Sequence, residues 1–173
     1  MEVMTTAAPV ISVEEYLSNV YEPDCDYVDG HLEERNLGEL DHSWLQAALI
    51  GYFFNRRKEW NIVVLPEQRV QVKRARYRVP DVCVLLGPKP TEQILRKPPF
   101  IYIEILSPED RMNRVEIRIA DYLEMGVSYV WILDPQTRQA YVSTKAEGLR
   151  EVKNGVLRTE NPTIEVLLAE VFA

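Results

Sequence analysis

Hydrophobic positions along the chain recur with two periods, and each change of period marks an element. The run F-I-Y-I-E-I-L over residues 100–106 is β-branched and aromatic, the composition of a central strand covered on both faces. Period-two alternation puts Phe100, Tyr102, Glu104 and Leu106 on one side of it and Ile101, Ile103 and Ile105 on the other. A helical period takes over in "LDHSWLQAALIGYFFNRRKEW", where Trp44, Leu45, Ala48, Leu49, Tyr52 and Phe53 recur and Asp41 or Ser43 is placed to cap the start. A second long helix is expected from about Glu109 to Met125, stopped by Gly126.

Shorter signals fill the rest. "ISVEEYLSNV" reads as a short helix with Ser12 as N-cap and Glu15 three residues on. "CDYVDGHLEERN" has the form strand, Asp-Gly turn, strand. "NIVVLPEQRVQVKRARYRVPDVCVLLG" predicts two or three strands around a basic turn, and "KPTEQILRKPP" a proline-bounded loop with room for one helical turn. "VSYVWILDP" is β-rich and ends in a turn at Asp134-Pro135. "RQAYVST", "LREVK" and "VLRTE" read as a meander, and "TIEVLLAEVFA" as an amphipathic strand or short helix. With no internal repeat or linker, 173 residues make one domain. The expected architecture is α/β (α+β): a mixed central sheet flanked by helices, with an N-terminal hairpin and a C-terminal β-meander.

Composition changes this picture little, but charge distribution adds to it. No run approaches a membrane span, the first residues lack a signal-peptide pattern, and two cysteines make no disulfide framework; a cytoplasmic protein is expected. The net charge is −7, yet residues 1–41 hold eleven acids against one base (Arg35), and residues 56–78 hold eight bases, including Arg74 and Arg76, against two acids. The basic segment is either a phosphate-attracting patch or a solvated hairpin face. The acidic one could equally dock a basic partner.

The chemistry lies in misplaced carboxylates. A lone glutamate in a buried strand is costly unless something pairs with it. Glu104 interrupts the apolar run, and Asp81 follows Pro80 and opens V-C-V-L-L. If those strands are neighbours, the two carboxylates converge on one hard divalent cation, Mg²⁺ or Mn²⁺, suited to phosphoryl transfer. Otherwise Glu104 pairs with an arginine of a neighbouring helix and Asp81 serves a turn.

Taken in order, Pro80-Asp81, Glu104-Ile105-Leu106-Ser107-Pro108, Tyr122 to Gly126-Val127, and Val130-Trp131 to Asp134-Pro135 resemble the Uma-type (Uma-two) putative restriction endonucleases, a branch of the PD-(D/E)XK nuclease superfamily. The resemblance spans roughly residues 12–172. It implies a restriction-endonuclease-like core and metal-dependent DNA hydrolysis, with Asp81 and Glu104 as metal ligands and the Ile105 carbonyl as a third. Glu67 either adds an acid or pairs at the surface with its neighbours.

Two departures from the pattern matter. Leu106 stands where the superfamily carries a lysine, and Arg118 stands where the family often supplies one from the next helix. Arginine stays protonated and cannot act as a general base, though it can hold a phosphate or stabilise transition-state charge. Arg111, Arg114 and Arg118 share a helical face that lines a phosphate groove or forms ion pairs in solvent. His42 either carries protons at the site or caps its helix, while Tyr122 and Trp131 read as core aromatics. The alternative function is a catalytically inactive nuclease-fold module that binds nucleic acid or protein. A homodimer is expected, since cutting both strands of a duplex suits two-fold symmetry.

Overall fold

The computed structural model describes residues 10–36 and 38–173. The first nine residues, on which the expected absence of a signal peptide falls, lie outside them. Ser12 caps α1 (Val13–Ser18), its hydroxyl accepting the Glu15 N–H at 3.1 Å. β1 (Cys25–Val28) and β2 (His31–Glu34) form the hairpin, turning at Asp29 (φ 50°) and Gly30 (φ 93°). Two consecutive left-handed residues are the turn whose twist matches the flanking strands.

α2 (Leu40–Arg56) buries Leu45, Leu49 and Phe53, whereas Trp44 remains 63% exposed. Neither Asp41 nor Ser43 caps it. Its N-cap is Glu39, without a side-chain cap bond, and Asp41 lies in the first turn, where its charge favours the helix dipole. The next segment makes four strands rather than two or three: β3 (Ile62–Pro66), β4 (Val70–Lys73), β5 (Arg76–Arg78) and β6 (Val82–Leu86). The extra break arises because the chain changes sheets twice: β3 pairs with β6 in one sheet and β4 with β5 in another. The proline-bounded loop has no helical turn; Leu95 instead bridges Val70 and buries its side chain.

β7 (Ile101–Ile105), α3 (Met112–Met125), β8 (Tyr129–Asp134), β9 (Gln139–Ser143) and β10 (Arg150–Glu151) complete the main sheet, ordered β10-β9-β8-β7-β6-β3. All its pairs are antiparallel except β7–β8, which are parallel and joined through α3. α3 starts later than Glu109 because Ser107 and Asp110 first close a turn, with the Asp110 carboxylate accepting the Ser107 N–H at 2.8 Å. It stops at Gly126, whose φ of 107° favours a residue without Cβ. In the C-terminal meander, β11 (Val156–Arg158) leaves β10 and pairs with β12 (Glu165–Leu167), which runs into α4 (Leu168–Val171). Leu157, Ile164, Val166 and Val171 thereby join the core beneath α2 instead of prolonging a sheet edge.

Each face of the main sheet has its own core. Ile101, Ile103 and Ile105 pack with α2 and the C-terminal ribbon, while Tyr102 packs with Val115, Ile119 and Tyr122 of α3. The alternation read along the run is the division between these two cores from Ile101 to Leu106; Phe100 departs from it and packs on the isoleucine side, because it precedes β7.

The uneven charge is resolved inside the molecule. A four-stranded sheet, β2-β1-β5-β4, lays the acidic hairpin against the basic strand β5. Arg78 is 1% exposed and donates to Asp26 (2.9 Å), Glu33 (2.7 Å) and Asp121 (2.8 Å). Arg76 donates to Asp29 and to Asp121. These two bases of the segment thus act as struts between layers, neither a surface patch nor a solvated face.

Candidate active site

The β6–β7 register, with Val82 opposite Ile103, continues to bring Asp81 level with Glu104. Asp81 is fastened there by its Oδ2, which accepts the Ile105 N–H at 2.7 Å. Both carboxylates are 4% exposed. Glu104 accepts from the Tyr122 hydroxyl and from Arg118 Nη1 at 3.2 Å, and Arg118 also donates to Asp110 at 2.7 Å. The Tyr122 ring is stacked on Tyr102, 3.5 Å between centroids, so Tyr122 is both a core aromatic and a donor to the site. Trp131 is a core residue, and Asp134 accepts the Gln136 N–H in its turn.

Asp81 Oδ1 faces Arg35 Nη2 at 2.8 Å and His42 Nε2 at 3.3 Å, and its backbone carbonyl accepts from Gln46 at 2.9 Å. Sequence reasoning missed Arg35 and Gln46 here. A signal for Arg35 was present: it is the one base among the first 41 residues. Glu67, in a left-handed conformation (φ 47°), turns its exposed carboxylate to within 3.8 Å of Arg35. Arg114 lines the same cleft, whereas Arg111 is the exposed N-cap of α3. Arg74 is exposed in the β4–β5 turn, and neither it nor Arg76 lines the cleft.

Burial pushes the Glu104 carboxyl up to about 7; Arg118 pulls it down and Asp81 pushes it further up. The hydrogen bond to Asp81 raises the His42 imidazole above its ordinary value, against the effect of burial. The Glu104 shift has a consequence for stability. Between the ordinary 4.5 and about 7 the folded state binds more protons than the unfolded chain, so stability falls as pH rises through that window. Glu104→Gln cannot ionise and is expected to lose this downward slope. Thermal melts of both proteins from about pH 4.5 to 8 check it; identical slopes would show that Glu104 binds no more protons in the folded state than in the unfolded chain.

The cleft has a volume of about 60 Å³ and is lined by seven carboxylates (Asp26, Glu33, Glu34, Asp81, Glu104, Glu109, Asp110) against three guanidiniums (Arg35, Arg114, Arg118). At roughly 10–15 Å³ per water, it admits a small hydrated ion. Its charge favours a cation over a bare phosphate. Among the described residues no three His, Cys, Asp or Glu side chains form a cation-holding cluster. The two carboxylates that share the cleft, with Ile105 lining it and space for water, fit a hard divalent ion that keeps part of its hydration.

Among the described residues, no helix is long and apolar enough to cross a membrane. No curated protein matches the chain. A crystal structure of a putative nuclease belonging to DUF820 from Anabaena variabilis superposes with a TM-score of 0.80 at 20% identity, covering 94% of this chain and 97% of that one. That likeness shows the fold: the two chains share the mixed sheet flanked by helices. Residues 13–172 match Uma2, described as putative restriction endonuclease. With 160 of its 173 residues in that match, the chain belongs to the Uma2 family.

Proposed function

We propose that the protein is a metal-dependent endonuclease that hydrolyses DNA phosphodiester bonds at the cleft between Asp81 and Glu104. The observation that carries this reading is the meeting of two buried carboxylates from adjacent strands in an acid-rich cleft of ion size. Family membership and the nuclease-fold neighbour support it. Asp81, Glu104 and the Ile105 carbonyl would hold Mg²⁺ or Mn²⁺. The chemistry such an ion supplies is a lowered water pKa and neutralisation of charge developing on the phosphoryl group.

The protein's own groups do the rest. Arg118, bridging Glu104 and Asp110, holds a phosphoryl oxygen as its charge grows and takes no proton. His42, whose Nε2 lies 3.3 Å from Asp81, is the imidazole beside the ligands and passes a proton to or from solvent. Leu106 packs in the α3-side core and contributes packing in place of a lysine. Arg114 at the cleft, and Arg111 and Arg74 exposed outside it, meet the DNA backbone; Arg76 supports them from within its ion pairs. The reading extends to a cytoplasmic homodimer that cuts both strands.

Supercoiled plasmid incubated with Mg²⁺, with Mn²⁺ or with a chelator tests the activity. Loss of the supercoiled form only in the presence of metal is expected. Undiminished cleavage with chelator would overturn the metal dependence. Salt-sensitive plasmid binding without cleavage under any metal would favour an inactive nuclease-fold binding module, the reading that Arg118 in place of lysine recommends.

A further inference from the structure

The donors on Asp81 and Glu104 come from two sides of the cleft. Arg35 reaches Asp81 Oδ1 at 2.8 Å from the end of the N-terminal hairpin, and Arg118 reaches Glu104 Oε2 at 3.2 Å from α3. Each guanidinium therefore rests on the carboxylate that a divalent ion would take. The two arginines differ in their hold. Arg118 has a second, close anchor in Asp110 at 2.7 Å. Among the described residues, Arg35 has only Glu67 besides, at 3.8 Å, and that carboxylate is 57% exposed. Of the pair, Arg35 is the one whose contact with the site is easily exchanged.

We infer that Arg35 is a built-in counter-cation of the site, displaced from Asp81 when a divalent ion binds and transferred to a phosphate of the DNA backbone. This deepens the metal-dependent reading above and rests on it. Guanidinium suits both positions, since its planar donor fork fits a carboxylate and a phosphate alike. Without DNA, an ion at Asp81 must drive Arg35 from its 2.8 Å partner and leave it with Glu67, whose solvent-exposed carboxylate at 3.8 Å is a weak replacement. With DNA, the phosphate receives it. Ion and DNA therefore bind more tightly together than apart, and the coupling is reciprocal. The consequence is selectivity in time: the ion is held firmly only when a backbone phosphate is at hand.

Calorimetric titration of Mn²⁺ into the full chain tests this, with and without a short DNA duplex, using wild type, Arg35→Gln and Arg35→Lys. Circular dichroism and thermal melts confirm that each variant is folded. In the absence of DNA, Arg35→Gln is expected to bind Mn²⁺ about 5-fold or more tightly than wild type, the lower end of usual coupling strengths. Arg35→Lys, which keeps the charge, stays near wild type. Adding the duplex should tighten Mn²⁺ binding by wild type and leave Arg35→Gln unmoved. Equal or weaker Mn²⁺ binding by folded Arg35→Gln would overturn the inference and make Arg35 a strut for Asp81. Undetectable Mn²⁺ binding by wild type and by both variants, or binding that survives Asp81→Asn, would instead overturn the metal site on which it rests.

Discussion

Asp81→Asn is expected to abolish metal-dependent plasmid cleavage, by more than about 100-fold, while the protein stays folded. The bound on activity follows from ligand chemistry: losing a group that merely orients a ligand costs 10–100-fold, so losing a charged ligand costs more. Retention of the fold follows from geometry. The asparagine carbonyl oxygen can still accept the Ile105 N–H that Asp81 Oδ2 accepts at 2.7 Å, and the backbone carbonyl keeps Gln46 at 2.9 Å. What disappears is the charge facing Arg35 and His42. Asp81→Ala is a harsher test, since it also frees a buried N–H. Quantifying nicked and linear plasmid over time in Mn²⁺, with circular dichroism as the folding control, checks the prediction. An asparagine variant within about ten-fold of wild type would move the chemistry away from Asp81.

Arg78→Ala is expected to be the most destabilising single substitution, costing about 3–5 kcal/mol, because breaking a buried ion network strands its other members. Arg78 bonds Asp26, Glu33 and Asp121, and both aspartates are themselves buried. Burial already raises the Asp26 carboxyl above its ordinary value, with Arg78 the chief opposing influence. Lysine retains a charge but lacks the planar fork that spans several carboxylates, so Arg78→Lys should fall between alanine and wild type. Urea denaturation midpoints and slopes provide the comparison. A loss under about 1 kcal/mol for Arg78→Ala would mean that water replaces the guanidinium and that the network is not buried in solution.

These two arginines show where sequence reading falters. Arg78 sits among eight bases in residues 56–78 and looks like part of a surface patch. Nothing local reveals that β5 lies beside the acidic hairpin, because that pairing joins residues about 50 positions apart. Arg35 stands out as a single base in an acidic stretch, but its target, Asp81, is likewise remote in sequence. The cap of α2 failed for a different reason: Asp41 and Ser43 were both suitable residue types, and composition alone does not say which turn is the first.

Local physics was enough for much else. The capping pair Ser12 and Glu15, the Asp29-Gly30 turn, the stop at Gly126 and the two-sided burial of β7 all follow from short-range rules of hydrogen bonding, left-handed backbone and period-two alternation. Glu104 was also marked by sequence alone, because an acid in an apolar strand requires a partner wherever the strand ends up. Tertiary structure decided what the partners are. The β6–β7 register set Asp81 beside Glu104, α3 supplied Tyr122 and Arg118, and the hairpin and α2 delivered Arg35 and His42. Residue type and spacing determine a group's needs through its immediate neighbours, whereas meeting those needs depends on which distant strands pair, a choice made by the burial of the whole core.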